Sequence, residues 1–278
     1  GEIEIPILPV ESHSDVFKPT YRSRISRLLP GFLRSRRWFP SPSLHMQSAE
    51  IVETLLVPGA QSRILLVRVE RGDREPELYA LALSAATGEK ANRILAEHSN
   101  AVFARLRAKD ESEGVLYGVL WDQEFCAALF DAMMRRRRLK GNAGELVVLH
   151  TPALRRILVQ PDYEDRPTAQ QEGPSGNSTI VFGNRFILKL LRRLENGMHP
   201  GWEIGKYLTE RMPAGHIAPT AAALEYRPVR GEPVTVALLH GFVHSQTDAW
   251  NYTIDCLSRF FERALVLNEG PQIGRAHD

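Results

Sequence analysis

Three features in the middle of the chain are chemically suited to phosphate. The run Glu172-Gly173-Pro174-Ser175-Gly176-Asn177-Ser178-Thr179 is made of small and hydroxyl residues. Such a loop offers unhindered backbone N–H groups and hydroxyls to phosphate oxygens. Lys189 follows inside the apolar run Ile187-Leu188-Lys189-Leu190, where a buried charge is costly without a partner. Glu203 comes next, on a segment of helical periodicity that Pro200 opens, and its carboxylate is the expected partner. His240 and Phe242 stand where a later apolar run gives out, a place suited to presenting backbone groups to a flat base. The candidate nucleotide contacts are therefore Ser175, Gly176, Asn177, Ser178, Thr179, Lys189, Glu203, His240 and Phe242. No catalytic residue and no metal ligand is assigned.

Each feature taken singly favours a bland explanation. Most small-residue loops bind nothing, and a lone strand lysine usually snorkels to water. The ordered set is rarer: loop, strand, Gly183-Asn184 turn, strand with Lys189, helix with Glu203, two strands, exit segment. That order suggests the ATP-binding lobe of a kinase and names no substrate.

These residues need a scaffold, and the flanking patterns supply one. Alternating or β-branched runs at Glu50–Val57, Arg63–Val69 and Glu77–Leu83 predict an antiparallel meander. Ala101–Arg107 and Gly114–Leu120 add two strands, and Ala222–Val229 with Val234–Leu239 add another pair. Helices are predicted over Tyr21–Leu29, over Asp122 to Arg138, through Ile204, Tyr207, Leu208 and Arg211 on one side, and from Asp248 onward. Residues 160–177 read as a polar loop. The absence of regular strand–helix–strand alternation gives an α+β fold in two parts, with a boundary near residue 96.

Composition narrows the possibilities further. A formal net charge of +2 over 278 residues is too balanced for a nucleic-acid or acidic-membrane partner. The run Arg135–Arg138 has no interleaved aromatics and reads as a solvated helix end. Cys126 and Cys256 form no metal motif and read as buried thiols in a reducing compartment. No stretch has the length and apolarity of a membrane span or a signal peptide, so the expected location is cytoplasmic.

The chain resembles the bacterial maltokinases, including the maltokinase part of trehalose synthase–maltokinase fusions. The resemblance is close over Gly176 to Leu190. It continues through Leu191-Arg192-Arg193-Leu194-Glu195-Asn196-Gly197, Glu203 to Glu210, Ala223-Leu224-Glu225-Tyr226-Arg227, Gly241-Phe242-Val243 and Gln246-Thr247-Asp248-Ala249-Trp250. Leu29-Pro30 and Arg37-Trp38-Phe39 look like the family's N-terminal signature. Departures fall after Phe39, where Pro40-Ser41-Pro42-Ser43 replaces a small residue and lysine, and at Gly173-Pro174-Ser175-Gly176, which lacks the usual acid and glutamine.

The resemblance implies ATP-dependent phosphorylation of maltose to maltose 1-phosphate, with Mg²⁺, feeding glycogen or α-glucan synthesis. It implies an N-terminal cap subdomain over residues 1–96. Residues 97–278 would be an intermediate β-rich subdomain with a kinase-like, aminoglycoside-phosphotransferase-like N-lobe. The catalytic loop and metal aspartate of the C-lobe are expected beyond Asp278, so this chain is expected to be inactive alone and to hold no cofactor tightly. Nucleotide, maltose and a trehalose synthase domain are the implied partners. The alternatives are a non-catalytic cap or docking module, and the front lobe of a different small-molecule kinase.

Overall fold

Alternation builds the first half of the molecule. In the computed structural model, residues 5–39, 46–72, 75–159, 167–172, 177–211 and 217–242 are described. Strands β1 (Ile7–Val10), β2 (Ser48–Leu56), β3 (Ser62–Glu70), β4 (Glu77–Thr87), β5 (Val102–Ala108) and β6 (Glu113–Gly118) form the first sheet. Its order is β1-β5-β6-β4-β3-β2, with β12 (Arg193–Leu194) joined to β4. Consecutive pairing of β2, β3 and β4 is the meander expected from their patterns. Only β1 runs parallel to its neighbour, β5. Because β5 and β6 belong to this sheet, the boundary expected near residue 96 falls inside it.

Helix α1 (Pro19–Arg34) lies on one face of that sheet. Tyr21, Ile25, Leu29 and Leu33 recur every four residues and are buried against Leu65, Val67, Leu81 and Phe103. The helix continues through Pro30 to Arg34, as the apolar signal carried on by Phe32 and Leu33 leads one to expect, because this stripe extends another turn. On the other face lie α2 (Gly88–Glu97) and α3 (Gln123–Met134). The Asp122 carboxylate caps α3 by accepting from the Glu124 amide at 2.9 Å. The helix stops at Met134, so Arg135–Arg138 lie beyond its last turn, exposed, with Arg138 paired to Glu145.

The second sheet is antiparallel throughout, in the order β7-β8-β13-β14-β11-β10-β9. Its strands are β7 (Leu139–Lys140), β8 (Gly144–His150), β9 (Pro167–Glu172), β10 (Ser178–Phe182), β11 (Phe186–Leu190), β13 (Thr220–Pro228) and β14 (Val234–Gly241), with the short helix α4 (Pro152–Leu158) following β8. β9 corrects the expectation of a loop over 160–177: its polar sequence forms an edge strand because β10 supplies the hydrogen-bonding partner. One core cluster takes residues from both sheets and from α3, including Leu66, Phe130, Phe182, Phe186 and Leu239. The Phe130 ring stacks on Phe182 at 4.0 Å. All of this forms one compact unit that ends at Phe242. Asp248, Cys256 and the helix predicted there lie outside the described residues.

The buried Cys126 thiol is pushed up to about 12 by burial and then by the Asp122 carboxylate, which makes it unreactive. No described helix is long and apolar enough to cross a membrane.

Candidate functional site

The outer face of the second sheet carries the candidate site. Register puts Thr179, Lys189, Leu238, Ala223 and Leu149 side by side across five strands. Directly paired residues share a face. Leu149, Ala223 and Leu238 cluster with Trp202 of helix α5 (Pro200–Arg211), so Lys189 projects to the side on which α5 packs. Phe186, Leu188 and Leu190 alternate to the opposite side and enter the core between the sheets.

Two glycines explain how α5 comes so close. A Cβ on Gly205 would collide with the Thr220 hydroxyl, and one on Gly201 would stand 3.1 Å from Leu238 Cδ1. Thr209 anchors the far end, accepting from the Thr220 amide at 2.8 Å. The buried residues of α5 are Trp202 and Thr209. The side that the sequence marks with Ile204, Tyr207, Leu208 and Arg211 is therefore not the packed one. Ile204 and Tyr207 are 57% and 55% exposed, and the helix meets the sheet through Trp202, Thr209 and the two glycines.

Lys189 is exposed, and among the described residues no carboxylate lies within ion-pair distance of it. The expected Lys189–Glu203 pair is not formed. Glu203 points to solvent from the first turn of α5. Since Lys189 is hydrated, the burial cost thought to demand a partner does not arise. Its ammonium acts instead on two imidazoles. His240 is pulled below its ordinary value by burial and then by Lys189. His199 is lowered chiefly by burial, with Lys189 adding to the effect and Glu195 opposing it. His240 Nδ1 lies 3.2 Å from Thr220 Oγ1, beneath Gly205.

The remaining predicted contacts divide. Thr179 shares Lys189's face and pairs with it in register. Ser178 is buried and pairs with Leu190, on the side facing the core, so its hydroxyl is withdrawn from Lys189. Asn177 is occupied, its Oδ1 accepting from the Arg192 amide at 2.9 Å. Ser175 and Gly176 lie outside the described residues. Phe242 closes the turn by donating its amide to the Arg185 carbonyl.

Sequence reasoning missed a cavity of about 730 Å³ on the same face, lined by residues of α5, β8, β13 and the β13–β14 turn. Trp202 and Lys206, four apart on α5, were the available signal.

No protein-family model matches the chain. Solved structures of glucosamine kinase are similar to it. One, in complex with glucosamine, ADP and inorganic phosphate, is 13% identical over 83% of this chain and 43% of that chain, with a TM-score of 0.44. Crystal form A gives 14% identity, 88% and 47% coverage and a TM-score of 0.46. Crystal form B gives 12%, 85%, 44% and 0.47. The chain spans less than half the length of each. A likeness this remote carries no argument about activity, which must come from the chain's own residues.

Proposed function

We propose that this chain is the nucleotide-binding front part of a sugar kinase of the maltokinase kind. The whole protein would transfer the γ-phosphoryl group of ATP to maltose, giving maltose 1-phosphate. The position of Lys189 carries the proposal. It is an open ammonium on the α5 side of an antiparallel sheet, level with Thr179 and beside an imidazole held neutral. Kinases place a strand lysine there for the nucleotide phosphates, with a helix glutamate to hold it. The resemblance of the motifs around Lys189, Glu203 and Gly241-Phe242 to those of maltokinases is what supports maltose as the acceptor.

In this reading Lys189 neutralises phosphate oxygens and Thr179 lends a hydroxyl beside it. The neutral His240 leaves Lys189 as the main local charge. Pairing of Glu203 with Lys189 would accompany a shift of α5, a motion of the kind that kinase helices use as a switch. Among the described residues no group of three or more His, Cys, Asp or Glu could hold a metal. They do not fit a Mg²⁺ site, and no step is assigned to one.

The test is a titration of the chain with ATP, followed by amide and imidazole NMR shifts. Expected is weak binding, about millimolar, with shifts centred on Thr179, Lys189 and His240. Lys189→Ala should weaken binding by roughly tenfold, the worth of one charge-assisted contact. A coupled assay with maltose and ATP should stay at background. Shifts confined to another face, or turnover unaffected by Lys189→Ala, would sink the proposal.

A further inference from the structure

The cavity beneath α5 lies over β13 and β8, two and three strand positions from β11, about 10–14 Å at ordinary strand spacing. It is separate from the Lys189 site. Its volume of about 730 Å³ falls in the range that holds small organic ligands. One wall is apolar, built by Trp202 and Met198 on the helix side and Leu149 on the sheet side. Trp202 is almost fully buried, so its part of this wall is fixed before any ligand arrives, whereas Met198 is exposed.

The polar groups decide the sign of the ligand's charge. Glu225, buried on the cavity floor, already accepts from Arg227 Nε at 2.8 Å. A cationic ligand would have to displace that guanidinium to reach the only carboxylate among the lining residues. Lys206 stands on the rim, exposed and with no carboxylate within ion-pair distance among the described residues. Arg227 is half exposed, and its remaining guanidinium N–H groups are additional donors at the cavity. Lys206 and Arg227 against one carboxylate leave a surplus positive charge above an apolar wall.

We infer that this cavity is a second binding site, for a small amphipathic anion: an aromatic or aliphatic body against Trp202, Met198 and Leu149, and a carboxylate or similar head between Lys206 and Arg227. An occupant would touch α5 on one side and β8 and β13 on the other. It would therefore brace the helix that carries Glu203. The site stands whether or not the chain binds nucleotide.

The probe is 4-phenylbutyrate, compared with its uncharged amide, by NMR titration of the labelled chain. Saturable shifts are expected at the Trp202 indole, Met198, Lys206 and Gly231, with the amide at least about tenfold weaker, as one charge-assisted contact requires. Lys206→Glu changes an exposed, unpaired side chain, so the fold should persist and the acid should bind at least about tenfold more weakly. Leu149→Trp fills the space and should abolish the shifts, with circular dichroism verifying that the variant is folded. Equal binding of acid and amide, an unchanged affinity in Lys206→Glu, or shifts elsewhere would overturn the inference. A parallel ATP titration reads Thr179, Lys189 and His240, so failure at one site is distinguishable from failure at the other.

Discussion

His240 and His199 are where the electrostatics of the site become measurable. Both have folded values below the ordinary 6.5, by burial first and with the Lys189 charge contributing. An unfolded imidazole takes up its proton near that ordinary value, whereas the folded one resists. The unfolded state therefore binds more protons in the window below about 6.5, and stability rises with pH there. Their neutral-form advantage is fully present above the unfolded value and is lost as pH falls through the folded values. The thermal midpoint should drop between pH 7.5 and pH 5.5, and His240→Gln should flatten that dependence. Lys189→Met should flatten it partly, since it removes the charge but leaves the burial. A midpoint indifferent to pH in the native sequence would contradict this picture. Lys189 itself was legible as a chemical residue because a lysine in an apolar strand stands out. Its free state was not, because the sequence does not say which face of a half-covered sheet meets water. Ser178 illustrates the same gap: strand alternation turns its hydroxyl to the core, while Thr179, one residue on, keeps Lys189's face.

At the scale of the element, α5 shows what a sequence pattern conceals. Its apolar residues mark a helix, and the helix is there. Their spacing sets Ile204 and Tyr207 on one side, yet the close approach to the sheet belongs to Gly201 and Gly205. A periodicity argument weighs apolar side chains and misses a face defined by missing ones. The test is Gly205→Ala. On an open helix this change gains up to about 1 kcal/mol from backbone entropy. Here the added methyl meets the Thr220 hydroxyl, and overpacking of this kind costs about 1–3 kcal/mol. Gly205→Ala should therefore lower the thermal midpoint by a few degrees, taking roughly 2–4 °C per kcal/mol. Placed in a Thr220→Ala background the same change should become neutral or stabilising. A double-mutant cycle with no coupling would mean that α5 does not sit against β13 as described. Long, strongly alternating strands such as β2, β3 and β4 were readable because the core lies on one side of each. β9 was not, since its partners rather than its residues make it a strand.

At the scale of the whole molecule, the two sheets are joined by more than apolar contact. Glu53, on β2 of the first sheet, has no exposed surface. Its carboxylate accepts from the amides of Asn142 at 2.9 Å and Ala143 at 2.8 Å, in the turn between β7 and β8. It also accepts from the Tyr226 hydroxyl at 2.9 Å on β13, and from the Thr54 amide beside it. Gly141 leaves the space, since a Cβ there would overlap the carboxylate. Burial first, and then the bond to Glu53, push the Tyr226 phenol well above its ordinary range, so it stays a donor at any working pH. No sequence signal could have found this joint, because Glu53 and Tyr226 meet only when both sheets are in place. Removing the carboxylate leaves buried donors unsatisfied, each worth about 1–3 kcal/mol, with incomplete additivity. Glu53→Ala should destabilise by about 3–5 kcal/mol, or on the order of 10 °C in the thermal midpoint. Tyr226→Phe, which removes one donor, should cost about 1 kcal/mol. Because one core spans both sheets, the loss should be felt in each. Fluorescence from Trp38 against the first sheet and Trp202 against the second should report the same lowered midpoint. Two separate transitions, with only one moved by Glu53→Ala, would mean that the sheets fold independently and that Glu53 does not join them.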